Sequence, residues 1–190
     1  LYQLFGGKVR EGVPIYRHAD GKDLAELCDN IQKYRDQGIT HIRCQSGGYG
    51  GGGFGTAPGS APERAPTGVY LDARKYMRET VKLFDGIRSR VGFDIELCHD
   101  VHERLKPIDA IRFAQALEPY NLLWLEEPAP PENVAALREI KRGTRTPICA
   151  GENLYLRWGF RDLIEQQAVD VIMPDLPKCC GLSEGKKIAN

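Results

Sequence analysis

Asp100 and His102 stand two residues apart at the end of an apolar run, in the stretch IELCHDVHERL. On a strand, side chains two apart share a face, so a carboxylate and an imidazole would project together from its end. That pairing can hold a metal, work as an acid/base pair, or simply solvate a strand terminus. Two more acids follow at a constant interval, Glu126 lying 26 residues after Asp100 and Glu152 another 26 after Glu126. Each closes or directly follows an apolar run. At neighbouring strand ends, three carboxylates repel one another unless a cation sits among them. Oxygen ligands of this number and kind suit Mg²⁺, with positions left for water and substrate. Acids that merely decorate solvated strand ends are the plain alternative.

The elements that must position these acids show as a repeated alternation. Apolar, β-branched runs predict strands at 13–18, 40–45, 93–98, 121–126, 146–151 and 169–174. Helical periodicity fills 22–37, 70–91, 107–117, 131–142 and 159–167. In 70–91, Tyr70, Ala73, Met77, Val81 and Phe84 recur at three- and four-residue steps, an amphipathic face. A last helix is expected after CCGLSE, with Ser183 as N-cap. Strict alternation implies a parallel sheet with right-handed crossovers. The first βα turn, RHADGKD, lacks the glycine fingerprint of a doubly wound nucleotide-binding sheet, which favours the closed barrel. A complete (β/α)8 barrel takes about 250 residues, more than the 190 here. The expected architecture is therefore α/β, a partial (β/α)8 barrel of about six units forming one domain over 1–190, with a glycine-rich loop at 46–68.

Composition narrows the function classes. Lys plus Arg and Asp plus Glu both number 26, so the formal net charge is zero and no electrostatic footprint for nucleic acid or an anionic membrane is present. No apolar run approaches the ~20 residues needed to span a bilayer, and LYQLFGGKVREG lacks the apolar core of a signal peptide. The expected location is cytoplasmic and the expected partner a small molecule. Six cysteines without C-x-x-C spacing read as buried thiols of a reducing compartment rather than disulfides or a zinc site. GGYGGGGFGTAPGSAP has no lysine of a phosphate-cradling loop and reads as a lid over the barrel mouth.

A set of residues at fixed spacing carries a resemblance: Leu97, Asp100, His102, Ala110, Leu117, LEEP at 125–128, GEN at 151–153 and MPD at 173–175. The segment resembles the enolase superfamily, in its mandelate racemase and muconate lactonizing enzyme branch. The resemblance implies that Asp100, Glu126 and Glu152 bind an essential Mg²⁺, with Glu127 a supporting residue. The family's capping domain and the last two barrel strands have no counterpart. It also implies a first step in which the metal, as Lewis acid, stabilises the charge that develops as a base removes the proton α to a carboxylate.

Proton-handling groups separate the branch's reactions. Lysine-based racemases carry K-x-K on the second strand, where this chain has Arg43, Cys44 and Gln45, and arginine is a poor base. HDVH resembles the mannonate- and galactonate-type acid-sugar dehydratases, which implies His102 as the general acid for the departing 3-hydroxyl. RCQSGGY resembles the R-x-Q-S-G run of mannonate dehydratases, which implies Tyr49 as base with Arg43 lowering its pKa. The other candidate base is a histidine on a seventh strand, beyond residue 190, oriented by Asp175. Gln45, Arg157 and Trp158 are candidate substrate contacts, and Trp124 is expected in the core. The implied activity is that of a Mg²⁺-dependent lyase turning a sugar acid, an aldonate, into its 2-keto-3-deoxy product; a homo-oligomer is compatible with it. A racemase or epimerase of the same branch and a non-catalytic truncated barrel stay open.

Overall fold

The computed structural model describes residues 2–46 and 72–190. A short 3-10 turn, Tyr2–Phe5, precedes six β/α units. The strands are β1 (Tyr16–Gly21), β2 (His41–Ser46), β3 (Glu96–Asp100), β4 (Trp124–Glu126), β5 (Ile148–Ala150) and β6 (Val171–Ile172). They alternate with α1 (Leu24–Asp36), α2 (Ala73–Val91), α3 (Pro107–Leu117), α4 (Val134–Arg142), α5 (Leu156–Glu165) and α6 (Leu182–Ala189). All neighbours pair in parallel, in the order β1-β2-β3-β4-β5-β6. Sequential neighbours without reversal are what a barrel wall requires, and a doubly wound sheet would show a switch point instead. The α/β architecture with about six units is as the alternation predicted. The glycine-rich run from residue 47 and Tyr49 lie outside the described residues.

Local chemistry sets the helix starts. Asp23, Asp72 and Asn133 each accept a hydrogen bond from the backbone N–H three residues on, which satisfies a donor the helix itself leaves orphaned. Pro107 opens α3 in the position where a missing N–H costs nothing. Helix α6 departs from expectation: Gly181, at φ 92°, is its N-cap, and Ser183 lies inside the helix without capping it. A left-handed approach to the helix favours a residue with no Cβ over a serine.

The core lies between the outer face of the sheet and the helices. Ala19, Ile42, Cys44, Leu97, Leu125, Ile148 and Ala150 point that way, alternating with inner-face residues along their strands. Phe84, Phe113 and Phe160 are fully buried against them. Each such side chain is worth about 1.5–3 kcal/mol relative to exposure. Along α2 the buried stripe runs Tyr76, Thr80, Leu83, Phe84, Ile87, Arg88, Val91, with Ala73, Met77 and Val81 only flanking it. The expected face therefore packs on the core through Ala73, Met77, Val81 and Phe84, Tyr70 lying outside the described residues, but the most buried stripe is displaced toward Tyr76 and takes in the polar Thr80 and Arg88. Arg88 can be buried because it donates to four backbone carbonyls, those of Gly92, Ile95, Tyr120 and Asn121. It ties together the turns that feed β3 and β4, at the end of the sheet away from the three acids.

All six cysteines are free thiols, five of them buried and Cys180 exposed. Among the described residues, no helix is long and apolar enough to cross a membrane.

Candidate active site

The inner face of the sheet is polar. At the C-terminal ends of the strands it opens into a cavity of about 510 Å³ lined by Tyr16, His18, Arg43, His102, Glu126, Glu152, Met173, Pro174 and Asp175. Strand parity explains much of this lining. Tyr16 and His18 alternate with Arg17 and Ala19 on β1, and Arg43 alternates with Ile42 and Cys44 on β2.

Asp100 and Glu126 are partners in the β3–β4 register, and both are about 1% exposed. Between them sits Arg43, whose Nη1 donates to Asp100 Oδ2 at 2.6 Å and to Glu126 Oε1 at 3.5 Å. The two carboxyls are shifted in opposite directions. Burial pushes Asp100 up, but the hydrogen bonds and charge of His102, together with the guanidinium, outweigh it and hold its carboxyl below the usual range. Burial and the charge of Asp100 push Glu126 up to about 7, against the smaller pull of Arg43 and of the Trp124 indole. Trp124 is consequently not a core residue. It is half-buried on the inner face, donates Nε1–H to Glu126 Oε2 at 3.2 Å and meets Tyr16 edge-on.

His102 reaches Asp100 by a turn, since β3 ends at Asp100. His102 and Glu103 both adopt left-handed backbone, at φ 56° and 60°, a conformation costly for residues other than glycine. The turn is fastened by His102 N–H donating to Asp100 Oδ1 and by Glu103 N–H donating to the Glu127 carbonyl. It brings His102 Nε2 to 2.9 Å from Asp100 Oδ2.

Glu152 is placed differently from the other two acids. In register, Glu126 faces Cys149, so the equal sequence interval sets Glu152 three residues past the matching position. A turn beyond β5 returns it to the cavity. Gly151 has φ 120°, and a Cβ there would come within 2.7 Å of Phe160, so the turn requires glycine. Glu127 fastens the same turn: its Oε1 accepts the N–H groups of both Gly151 and Glu152. Burial pushes Glu127 up to about 7. Glu152 Oε1 accepts from Lys178 Nζ at 2.7 Å, and Lys178 also donates to Asn153 Oδ1.

The three acids thus share one end of the inner face without forming a ready cage: among the described residues, no group of three His, Cys, Asp or Glu side chains is assembled to hold a metal ion. The donor set nonetheless fits a divalent cation in kind. Two buried carboxylates in register share one close guanidinium, and Glu126 resists ionisation because it is buried and faces the charge of Asp100. Burial pushes the Cys98 and Cys149 thiols up.

Of the remaining expected site residues, Asp175 lines the cavity, and its Oδ1 accepts the Lys178 N–H. Gln45 is buried, and its Oε1 has no hydrogen-bond partner among the described residues. Arg157 and Trp158 are placed elsewhere. They begin α5 and border a separate hollow between α5 and α6, where Arg157 stacks on Trp158 and pairs with Glu184 at 2.7 Å. Their proximity to GEN in sequence is undone by the first turn of α5, so the expectation that they contact substrate in the central cavity is corrected. Tyr16 and His18, which line the cavity, and Lys178, which pairs with Glu152, were missed by sequence reasoning. The available signal was the alternation Tyr16, His18, Asp20 on a strand read only as apolar.

Residues 26–190 match the family model described as enolase C-terminal domain-like. The chain belongs to that family. Its relatives include a D-galactonate dehydratase family member of Musicola paradisiaca, 38% identical over 100% of this chain and 49% of the relative. A D-mannonate dehydratase of Rhizorhabdus wittichii is 40% identical, over 100% of this chain and 49% of its own length. Among solved structures, an enolase from Pantoea ananatis with bound D-gluconate and Mg superposes with a TM-score of 0.88 at 38% identity, covering 99% of this chain and 49% of the other. The chain spans about half the length of the curated relatives it matches.

Proposed function

We propose that this enolase-family chain carries the metal-binding side of the active site of a sugar-acid dehydratase. The observation that carries the reading is the buried, in-register pair Asp100 and Glu126, with Glu152 and His102 facing the same cavity. Relatives named as galactonate- and mannonate-type dehydratases, and a neighbour holding gluconate and Mg, support the substrate class and the metal.

Asp100, Glu126 and Glu152 would hold Mg²⁺, which when bound supplies Lewis acidity toward the substrate carboxylate. Arg43, with His102, holds Asp100 ionised and, 5% exposed, keeps fixed positive charge where a carboxylate substrate must approach. Gln45 offers a buried, unsatisfied carbonyl to a substrate hydroxyl, a group that costs about 1–3 kcal/mol until it is paired. His102, held by Asp100 on one side and open to the cavity, delivers a proton to the departing 3-hydroxyl. The α-proton leaves to a base, for which Tyr49 is our candidate. The C–O bond at C3 breaks with release of water, and the resulting enol ketonises to the 2-keto-3-deoxy acid, so the balance is aldonate to product plus one water.

The test is a mass-spectrometric screen of the full-length protein against a pool of aldonic acids, with and without Mg²⁺. The expected result is loss of one water from a subset of the pool, dependent on Mg²⁺ and abolished in Glu126→Gln. Turnover that survives both metal removal and Glu126→Gln would overturn the metal assignment. Exchange of the α-proton with solvent deuterium and no loss of water would replace dehydration by racemisation or epimerisation.

A further inference from the structure

The positive groups that face the three acids are not equivalent. Arg43 is 5% exposed, wedged between buried carboxylates, and cannot leave without stranding charge in the interior. His102 is locked to Asp100 through both its ring and its backbone N–H. Lys178 is different. Its ammonium meets Glu152 from outside, in a pair whose members are 36% and 34% exposed. It rides on the segment between β6 and α6, where its N–H is tied to Asp175 and the next N–H, that of Cys179, to the Asp175 carbonyl. Its second partner, Asn153 Oδ1, belongs to the same GEN turn as Glu152. A side chain with a flexible four-carbon stem, anchored by its own backbone and paired at an open edge, can leave its partner without disturbing the fold.

We propose that Lys178 is a resident counter-cation of the metal site, occupying Glu152 when no divalent ion is present and being displaced from it when one binds. The inference rests on the assignment of Glu152 as a metal ligand. An oxygen that accepts an ammonium at 2.7 Å is engaged by positive charge already, so a dication must compete for it. A fixed positive charge left at that distance would also repel the incoming ion. Displacement is feasible because the pair is a third exposed, and pairs of that kind are weak in water. The freed ammonium stays beside Asp175, whose carboxylate already takes the Lys178 N–H. Loading the metal therefore moves a positive charge from the GEN turn to the segment that carries Asp175.

The experiment is Mn²⁺ titration by calorimetry of the full-length protein and of Lys178→Met, with Lys178→Arg as a charge-keeping control. It is accompanied by acetic anhydride footprinting of Lys178 at zero and saturating Mn²⁺. Lys178→Met should bind Mn²⁺ about two- to five-fold more tightly, the range set by a partly exposed ion pair. Lys178→Arg should stay near the parental affinity, and acetylation of Lys178 in the parental protein should rise on adding Mn²⁺. Unchanged or weaker binding by Lys178→Met, or labelling that does not rise, overturns the inference while leaving the metal reading in place. Absence of Mn²⁺ binding by the parental protein overturns both.

Discussion

Acidification offers a sharp check on the packing behind the site, through His99. This residue points away from the cavity, into the core, with ring centroids of Tyr76, Phe84 and Phe113 within 6.0 Å. Its Nδ1 lies 2.9 Å from the Cys44 carbonyl and its Nε2 2.7 Å from the Tyr76 hydroxyl. A carbonyl only accepts, so Nδ1 carries the proton, and in a neutral ring Nε2 must then accept from Tyr76. Burial, aided by the charges of Arg43 and His102, pushes the pKa down to about 4 against the opposing pull of the Cys44 carbonyl and Asp100. In the unfolded chain it returns to about 6.5. Between those values the unfolded state binds the extra proton, so stability is whole above about pH 6.5 and falls with pH until about 4. The loss works out at about 2 kcal/mol at pH 5. Glu126 and Glu127, raised to about 7, oppose it, because folded carboxyls that keep their protons gain stability as pH drops from 7 toward their unfolded values. The contribution of His99 must therefore be read as a difference. His99→Asn keeps a donor for the Cys44 carbonyl and cannot titrate. Urea unfolding of both proteins, followed by tryptophan fluorescence, should show a stability gap about 2 kcal/mol smaller at pH 5 than at pH 7.5. A gap equal at the two pH values would mean that His99 protonates in place, and the sealed neutral tautomer would be wrong.

Two further outcomes follow from the geometry. His102→Asn should lose dehydration by at least about 10²-fold, the usual contribution of a positioned acid, while α-proton exchange measured by NMR in deuterium oxide persists; equal loss of both would remove His102 from the acid role. Arg88→Met should destabilise the protein by about 3–5 kcal/mol, because four backbone carbonyls lose their buried cationic donor; a chemical-denaturation shift below about 1 kcal/mol would show that those carbonyls find other partners.

The sequence exposes some levels of this structure and hides others. Strand order and helix number follow from alternation, because a parallel sheet buried against helices writes long apolar runs into the chain. Asp100 and Glu126 were legible for the same reason: each terminates such a run, and the register sets them side by side. Glu152 was found by its interval but placed by a turn that the interval does not describe. What stayed hidden depends on neighbours distant in sequence. Nothing local says that Thr80 and Arg88 are buried, that Trp124 turns its N–H to Glu126, or that Lys178 reaches back to Glu152. Arg157 and Trp158 misled because adjacency to GEN was taken for adjacency to the cavity, and a helix rotates its side chains by about 100° per residue.

Glu126 and Glu127 are one residue type in tandem, shifted in the same direction by burial, yet their tasks do not overlap. One faces the cavity, and the other holds the backbone that delivers Glu152. Glu126 closes β4, whereas Glu127 follows it with left-handed backbone at φ 41°. A single-residue slip of this segment against β3 and β5 would leave the EEP signature intact while taking Glu126 out of register with Asp100. A signature match is therefore blind to a frame error that would dismantle the centre, and a homologue retaining EEP must be judged by its spacing to the preceding strand before it is assigned a working site.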